Sequence, residues 1–397
     1  MTSFQTRRDL FDLPEGITYL DGNSLGPLPK SAVDRARTTM AEEWGPMLIT
    51  GWNKARWMDL PARLGDRIGR LIGAPAGSTV VGDTLSIKVY QAVASAVEMR
   101  PGRKIVLSDN GNFPSDLYMA DGLLQSLKQG HELRVVDPEA VADHINEDVA
   151  AVMLTHVDYR TGWVHDMKAI TEKTHAAGAI MIWDLAHSAG ALPVDLTGCN
   201  ADIAVGCTYK YLNGGPGAPG FIHVRPDLID QVRPALSGWL GHQAPFAFDL
   251  DYRPGEGISR MRVGTPPVIQ MAVLDAALDA FDGIDMADIR ARSIELSEQF
   301  IAEVEAGCKD VELASPRDPQ ARGSQVSFRF HEGYAAMQAL IARGIIGDFR
   351  APDIMRFGFC PLYNTAEDVS HAAAALCEII ATGEWDRAEF KQRKAVT

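Results

Sequence analysis

Between Thr79 and Val224 the hydrophobic positions fall in short, often β-branched runs separated by stretches with helical spacing. The runs are TVVG (79–82), KIVLS (104–108), LRVVD (133–137), AAVMLTH (150–156), AIMIWD (179–184), DIAVG (202–206) and GFIHV (220–224). Near-continuous apolar runs predict strands buried on both faces, and the intervening stretches 87–97 and 167–177 can each bury one face of a helix. The alternation predicts an α/β domain with a mainly parallel sheet, whose carboxyl edge is where sites form.

Glycines and prolines at 214–220 and 253–267 punctuate the end of this rhythm. One long helical stretch is predicted from Val268 to about Ala306. Strand 324–330, helix 334–343, strand 355–359 and helix 366–382 follow, and read as a smaller α+β domain. Near the N-terminus, Pro27 and Pro29 precede a helical pattern from Ser31 to Trp44 whose packing partner the pattern leaves open. The expected division is an N-terminal segment (1–45), a large domain (46–270) and a smaller C-terminal domain with its linking helix (271–397).

Charge narrows the partners. Among 397 residues, 38 are Lys or Arg and 52 are Asp or Glu, a net charge of −14. Such a surface repels a phosphate backbone or an anionic bilayer, so neither nucleic acid nor membrane is an expected partner. No apolar run reaches the ~18 residues of a membrane span, and residues 1–11 lack the apolar block of a signal peptide, so a cytoplasmic location is expected. The five cysteines are dispersed without a CxxC pair, which argues against a disulfide framework or a structural metal site.

The segment GPGAPG (215–220) formally matches a dinucleotide fingerprint. It runs into a strand rather than a helix and carries two prolines, so that reading fails. The stronger signal is IWDLAHSAG (182–190) followed by GCTYKYLNGGPGAPG (206–220). An acidic residue ends one strand, Asp184, and a lysine follows the next, Lys210, so both can reach one cleft at the sheet's carboxyl edge. Pyridoxal phosphate requires this pair: a lysine to bond its aldehyde and a carboxylate to keep its ring nitrogen protonated. From spacing alone, a surface lysine and a helix-capping aspartate are an equal alternative.

Further motifs break the tie: YLDGNSLGPLP (19–29), NFPSD (112–116), DLAH (184–187), TYKYLNGG (208–215), GWLGH (238–242), GTPP (264–267) and IGDFRAPDIMRFGFCPLYNT (346–365). Together they resemble the kynureninases, fold-type-I pyridoxal-phosphate enzymes of the aspartate aminotransferase-like architecture, over essentially the whole chain and in the family's order. The resemblance implies hydrolysis of L-kynurenine to anthranilate and L-alanine, in tryptophan and kynurenine catabolism. It makes Lys210 the cofactor-bonding lysine, Asp184 the partner of the ring nitrogen, and Tyr209 a phosphate ligand close to the proton transfers. Phe113 matches the residue stacked on the ring, while Asp116 and His187 match cofactor-site residues. Leu85 and Ser86 match backbone phosphate donors at a helix start, where free N–H groups attract an anion. Trp239 and Thr265 match phosphate ligands delivered by a neighbouring subunit, implying a homodimer with shared sites. Arg356 matches the arginine that binds the substrate carboxylate, with Arg350 as runner-up, and Trp44 falls where bacterial-type enzymes carry a substrate-pocket tryptophan. Core roles for Phe113, His187 and Trp44, and a helix cap for Asp116, are the plainer alternatives.

Two competing functions share this fold. A cysteine desulfurase or selenocysteine lyase would need a nucleophilic cysteine before the carboxylate-binding arginine, yet 344–354 has none, and Cys360 comes after Arg356. A catalytically silent binding protein is at odds with the intact Asp184, Tyr209, Lys210 and Arg356.

Overall fold

The computed structural model describes residues 4–393. Each predicted run between Thr79 and Val224 is a strand: β1 (Thr79–Val81), β2 (Ile105–Asp109), β3 (Glu132–Val136), β4 (Val149–Thr155), β5 (Ile180–Asp184), β6 (Ile203–Gly206) and β7 (Phe221–Val224). They form one seven-stranded sheet in the order β1-β7-β6-β5-β4-β2-β3. Strands β2 to β6 pair in parallel, and β7 is antiparallel to both of its neighbours. The central strands β4, β5 and β6 are buried along their whole length, as runs without polar alternation require.

Helices cover both faces. Among them α1 (Leu85–Met99) leaves β1 through a tight loop, and its cap, Thr84, accepts a hydrogen bond from the Ile87 N–H. Asp83 in that loop has a left-handed backbone, φ 56°. The fully buried Lys88 ties it down, donating to the Asp83 carboxylate at 2.9 Å and to the Met261 carbonyl at 3.1 Å. Gly220 is required beside it, because a Cβ there would lie 2.8 Å from the Leu85 nitrogen.

A second, antiparallel sheet is built from β8 (Glu312–Leu313), β9 (Gln325–Arg329), β10 (Asp348–Arg350) and β11 (Ile354–Gly358), in the order β8-β9-β11-β10. It packs around its own core of Phe300, Phe328, Phe357 and Phe359. The expected single helix from Val268 to Ala306 is in fact two, Val268–Ala277 and Met286–Gly307. Gly283, at φ 71°, breaks it, and the Asp285 carboxylate restarts it by accepting from the Ala287 N–H. Likewise the predicted Ser31–Trp44 helix is α-helical only over Lys30–Thr38 and continues as a π-helical turn over Thr39–Trp44. The N-terminal segment joins both bodies: Phe11 sits in the large core, Leu20 in the small one, and Thr18–Tyr19 pairs in parallel with Ile345–Ile346. No helix among the described residues is long and apolar enough to cross a membrane.

Candidate active site

Strands β4 and β5 end side by side, with Thr155 in register with Asp184, so the carboxyl edge of the sheet presents both side chains to one cavity. That cavity measures about 180 Å³, and its walls bring together Leu85, Ser86, Phe113, Asp116, Asp184, His187, Tyr209, Lys210, Arg350 and Arg356. Residues far apart in the chain meet here because each follows a strand of the same edge, or reaches over from the small sheet.

Asp184 is buried, its carboxylate accepting from the Ala186 N–H at 3.0 Å and from the Thr155 hydroxyl at 3.4 Å. Burial raises its pKa to about 6, against the opposing pull of the Lys210 ammonium and these two hydrogen bonds. Asp116 is held well above the ordinary carboxyl range by burial and then by the nearby Asp184, with Lys210 opposing. Its Oδ2 has no hydrogen-bond partner among the described residues, and the cap position of its helix is Phe113, so the helix-cap alternative is not what this residue does. His187 is kept neutral, its pKa driven down by burial and by the cations Lys210 and Arg356, and its Nδ1 lies 3.1 Å from Gln325 Oε1. Neighbouring Cys207 and then burial push the Tyr209 phenol up, so it retains its proton. Lys210 Nζ lies 5.9 Å from the centroids of both the Phe113 and Tyr209 rings. Phe113, half exposed, meets Tyr159 edge-on at 5.2 Å.

The cationic end is more heavily committed than its sequence position suggests. Arg356 Nε donates to Asp348 Oδ1 at 2.5 Å, and Nη2 donates to Asp348 Oδ2 and, at 3.1 Å, to Ser24 Oγ. Nη1 donates to the Tyr159 carbonyl. The two parallel bonds that a guanidinium offers a carboxylate are therefore made to Asp348, and one of the fork's five N–H groups is left. Arg350 joins the same carboxylate at 2.8 Å. Burial alone would raise Asp348, but Arg356 and Arg350 outweigh it and hold its carboxyl below the usual range. Asp21, also close, is raised to about 8 by burial and by Asp348, so it carries a proton at neutral pH. The cluster thus bears two positive charges and one negative, an excess that suits one incoming carboxylate.

Trp44, Trp239 and Thr265 do not reach this cavity. Trp239 is exposed, edge-on to Phe246 at 5.7 Å. Trp44 and Thr265 share a separate, wide apolar groove of about 820 Å³ with Leu48, Ile49, Trp52 and Trp57. Sequence reasoning missed Asn23, Ser24, Thr155, Tyr159 and Asp348. Thr155 had a signal, since it closes the strand run before the one ending at Asp184. Asn23 and Ser24 lie inside the YLDGNSLG motif without a chemistry of their own to announce them.

Fold and cavity define a class: a fold-type-I α/β protein with a lysine and a buried carboxylate at the sheet's carboxyl edge. Solved structures with this fold include a cysteine desulfurase from Thermococcus onnurineus NA1 (TM-score 0.79, 18% identity, 95% of this chain and 98% of that one). A C-DES mutant with glycine covalently linked to its PLP cofactor is equally similar (TM-score 0.79, 20% identity, 94% and 99%). Sequence comparison is more specific. Residues 289–376 match the family described as the kynureninase C-terminal domain. Kynureninase of Pseudomonas fluorescens is 50% identical over 98% of this chain and 95% of its own length, and that of Burkholderia pseudomallei (strain 1106a) is 48% identical over the same shares. The chain belongs to the kynureninase family. The desulfurase alternative gains nothing from the structure: Cys360 is buried in the core, and burial pushes its thiol up to about 12.

Proposed function

We propose that this protein hydrolyses L-kynurenine to anthranilate and L-alanine in the kynurenine pathway of the cytoplasm, using pyridoxal 5′-phosphate. Half-identity to a curated kynureninase along almost the entire chain carries the reading. The cavity's donor set fits the cofactor. Phe113 offers a ring face, Asp184 a carboxylate for the ring nitrogen, Asp116 an unpartnered oxygen, and Lys210 a primary amine. Leu85 and Ser86 open a 15-residue helix whose first N–H groups suit a phosphate.

When bound, pyridoxal phosphate supplies an electrophilic aldehyde and a sink for the electrons released at the substrate's Cα and Cβ. Lys210 Nζ is the base that takes the α-proton, and Asp184 holds the proton on the ring nitrogen. Tyr209 keeps its proton over the working pH range and donates, while neutral His187 adds no competing charge. Arg356 and Arg350 orient the substrate by its carboxylate. Overall, water adds its oxygen to the aryl carbonyl carbon, the Cβ–Cγ bond breaks, and Cβ leaves with a proton as the methyl group of alanine.

Exposed Trp239 and Thr265, and the apolar groove that Thr265 shares with Trp44, support a homodimer in which each chain completes its partner's site. The test is product analysis with cofactor-saturated protein given L-kynurenine or L-cysteine. Anthranilate and alanine in equal amounts from the first, with no sulfide from the second, is the expected outcome. Sulfide release without kynurenine cleavage would overturn the reading.

A further inference from the structure

Asn23 is 0% exposed, lines the cavity, and has neither a donor for its Oδ1 nor an acceptor for its Nδ2 among the described residues. A buried amide with both ends unpaired is costly, so something in the working protein meets it.

What it meets follows from its neighbours. The next residue, Ser24, touches Arg356 Nη2 at 3.1 Å, which places Asn23 at the cationic end of the cavity, away from the helix start that suits a phosphate. There, Arg356 spends four of its five N–H groups on Asp348, Ser24 and the Tyr159 carbonyl. A substrate carboxylate has two oxygens, and Arg356 has only the single remaining N–H to offer it. The amide packs against Gly358, two residues beyond Arg356: a Cβ there would lie 2.1 Å from Asn23 Oδ1, so that glycine is what gives the side chain its place.

Resting on the proposed kynurenine reaction, we infer that Asn23 is a substrate-binding residue whose Nδ2–H donates to the α-carboxylate of the amino-acid substrate, completing a site that Arg356 alone leaves half-satisfied. Asp348 and Ser24 hold the guanidinium edge-on, and Asn23 supplies the second donor. The contact is made to a group that does not react, so it acts on binding more than on turnover.

The test uses Asn23→Ala, Asn23→Ser and Asn23→Asp in cofactor-loaded protein, with the cofactor's visible absorbance as the check of an intact site. L-alanine, the product that carries the α-carboxylate but no aryl ketone, is titrated by its effect on that absorbance. Its Kd is expected to rise about ten-fold in Asn23→Ala and further in the nearly isosteric Asn23→Asp, which sets a negative charge against the carboxylate. Asn23→Ser, which keeps a small donor, is expected to fall between Asn23→Ala and the parent. The amine left when kynurenine loses its carboxylate is expected to inhibit parent and variants equally. For L-kynurenine, KM should rise with kcat little changed. Unchanged L-alanine affinity in Asn23→Ala and Asn23→Asp would overturn the inference while leaving the hydrolytic reading intact. A parent protein that fails to cleave kynurenine, with alanine affinity still falling in the variants, would leave the carboxylate site standing and remove the reaction.

Discussion

Replacing Asp348 by Asn removes one charge from a site closed to bulk solvent. Arg356 is 1% exposed, Asp348 is 0% exposed, and the carboxylate accepts from Arg356 through Nε and Nη2, from Arg350 and from Ser24. Removing one member of such a buried pair costs about 3–5 kcal/mol, because the surviving guanidinium is left without its counter-charge. Asn restores one acceptor but turns an N–H toward Nη2. Asp21 softens the blow: its carboxyl, held up near 8 by burial and by Asp348, loses the second of these causes and can ionise beside the arginines. The lower end of the range, about 3 kcal/mol, is therefore expected for the loss in unfolding free energy. Urea unfolding of parent and variant measures it, and the difference should survive added salt because the pair is shielded from solvent. Saturating L-alanine should narrow the gap, since its carboxylate supplies the missing anion. A loss below about 1 kcal/mol would refute the reasoning and show that the fork is not anchored by Asp348.

Three further expectations follow from the same structure. His156 is buried with its pKa lowered to about 3 by burial and by His165, so below the ordinary value near 6.5 the unfolded chain takes up a proton that the native state refuses. Stability present above pH 6.5 should fall as the pH drops, by about 2 kcal/mol between pH 7 and 5 from this residue, and a His156→Gln variant should flatten that slope in urea titrations at several pH values. If Trp44 and Thr265 line the aryl pocket, L-kynurenine should exceed its 3-hydroxy derivative by about one to two decades in kcat/KM, the effect of burying a phenolic hydroxyl without a partner; equal values would contradict that use of the groove. Finally, mixing inactive Lys210→Ala chains with Trp239→Ala chains should restore activity if sites are shared across a homodimer, and sedimentation of a fully active monomer would contradict it.

The large sheet was legible because its strands are apolar on both faces, a pattern that needs no long-range information. The pairing of Asp184 with Lys210 was legible for a related reason, since residues that end neighbouring parallel strands share an edge whatever their separation in sequence. Local breaks were less visible: the helix from Val268 is interrupted at Gly283, and only the Asp285 cap marks where it resumes. The carboxylate end was the least legible. Ser24 and Arg356 touch across 332 residues, and that Arg356 spends its fork on Asp348 depends on β10 lying beside β11, which spacing in sequence cannot specify.

The most direct test of the account is the rate of L-kynurenine hydrolysis by Lys210→Ala protein that is folded and loaded with pyridoxal phosphate. Only a primary amine at this position can bond the cofactor's aldehyde and then take the α-proton, so anthranilate formation should vanish, along with the borohydride-sensitive visible absorbance of the parent. Parent-like cleavage of kynurenine by that variant would contradict the assignment of Lys210, and with it the chemistry proposed for the cavity.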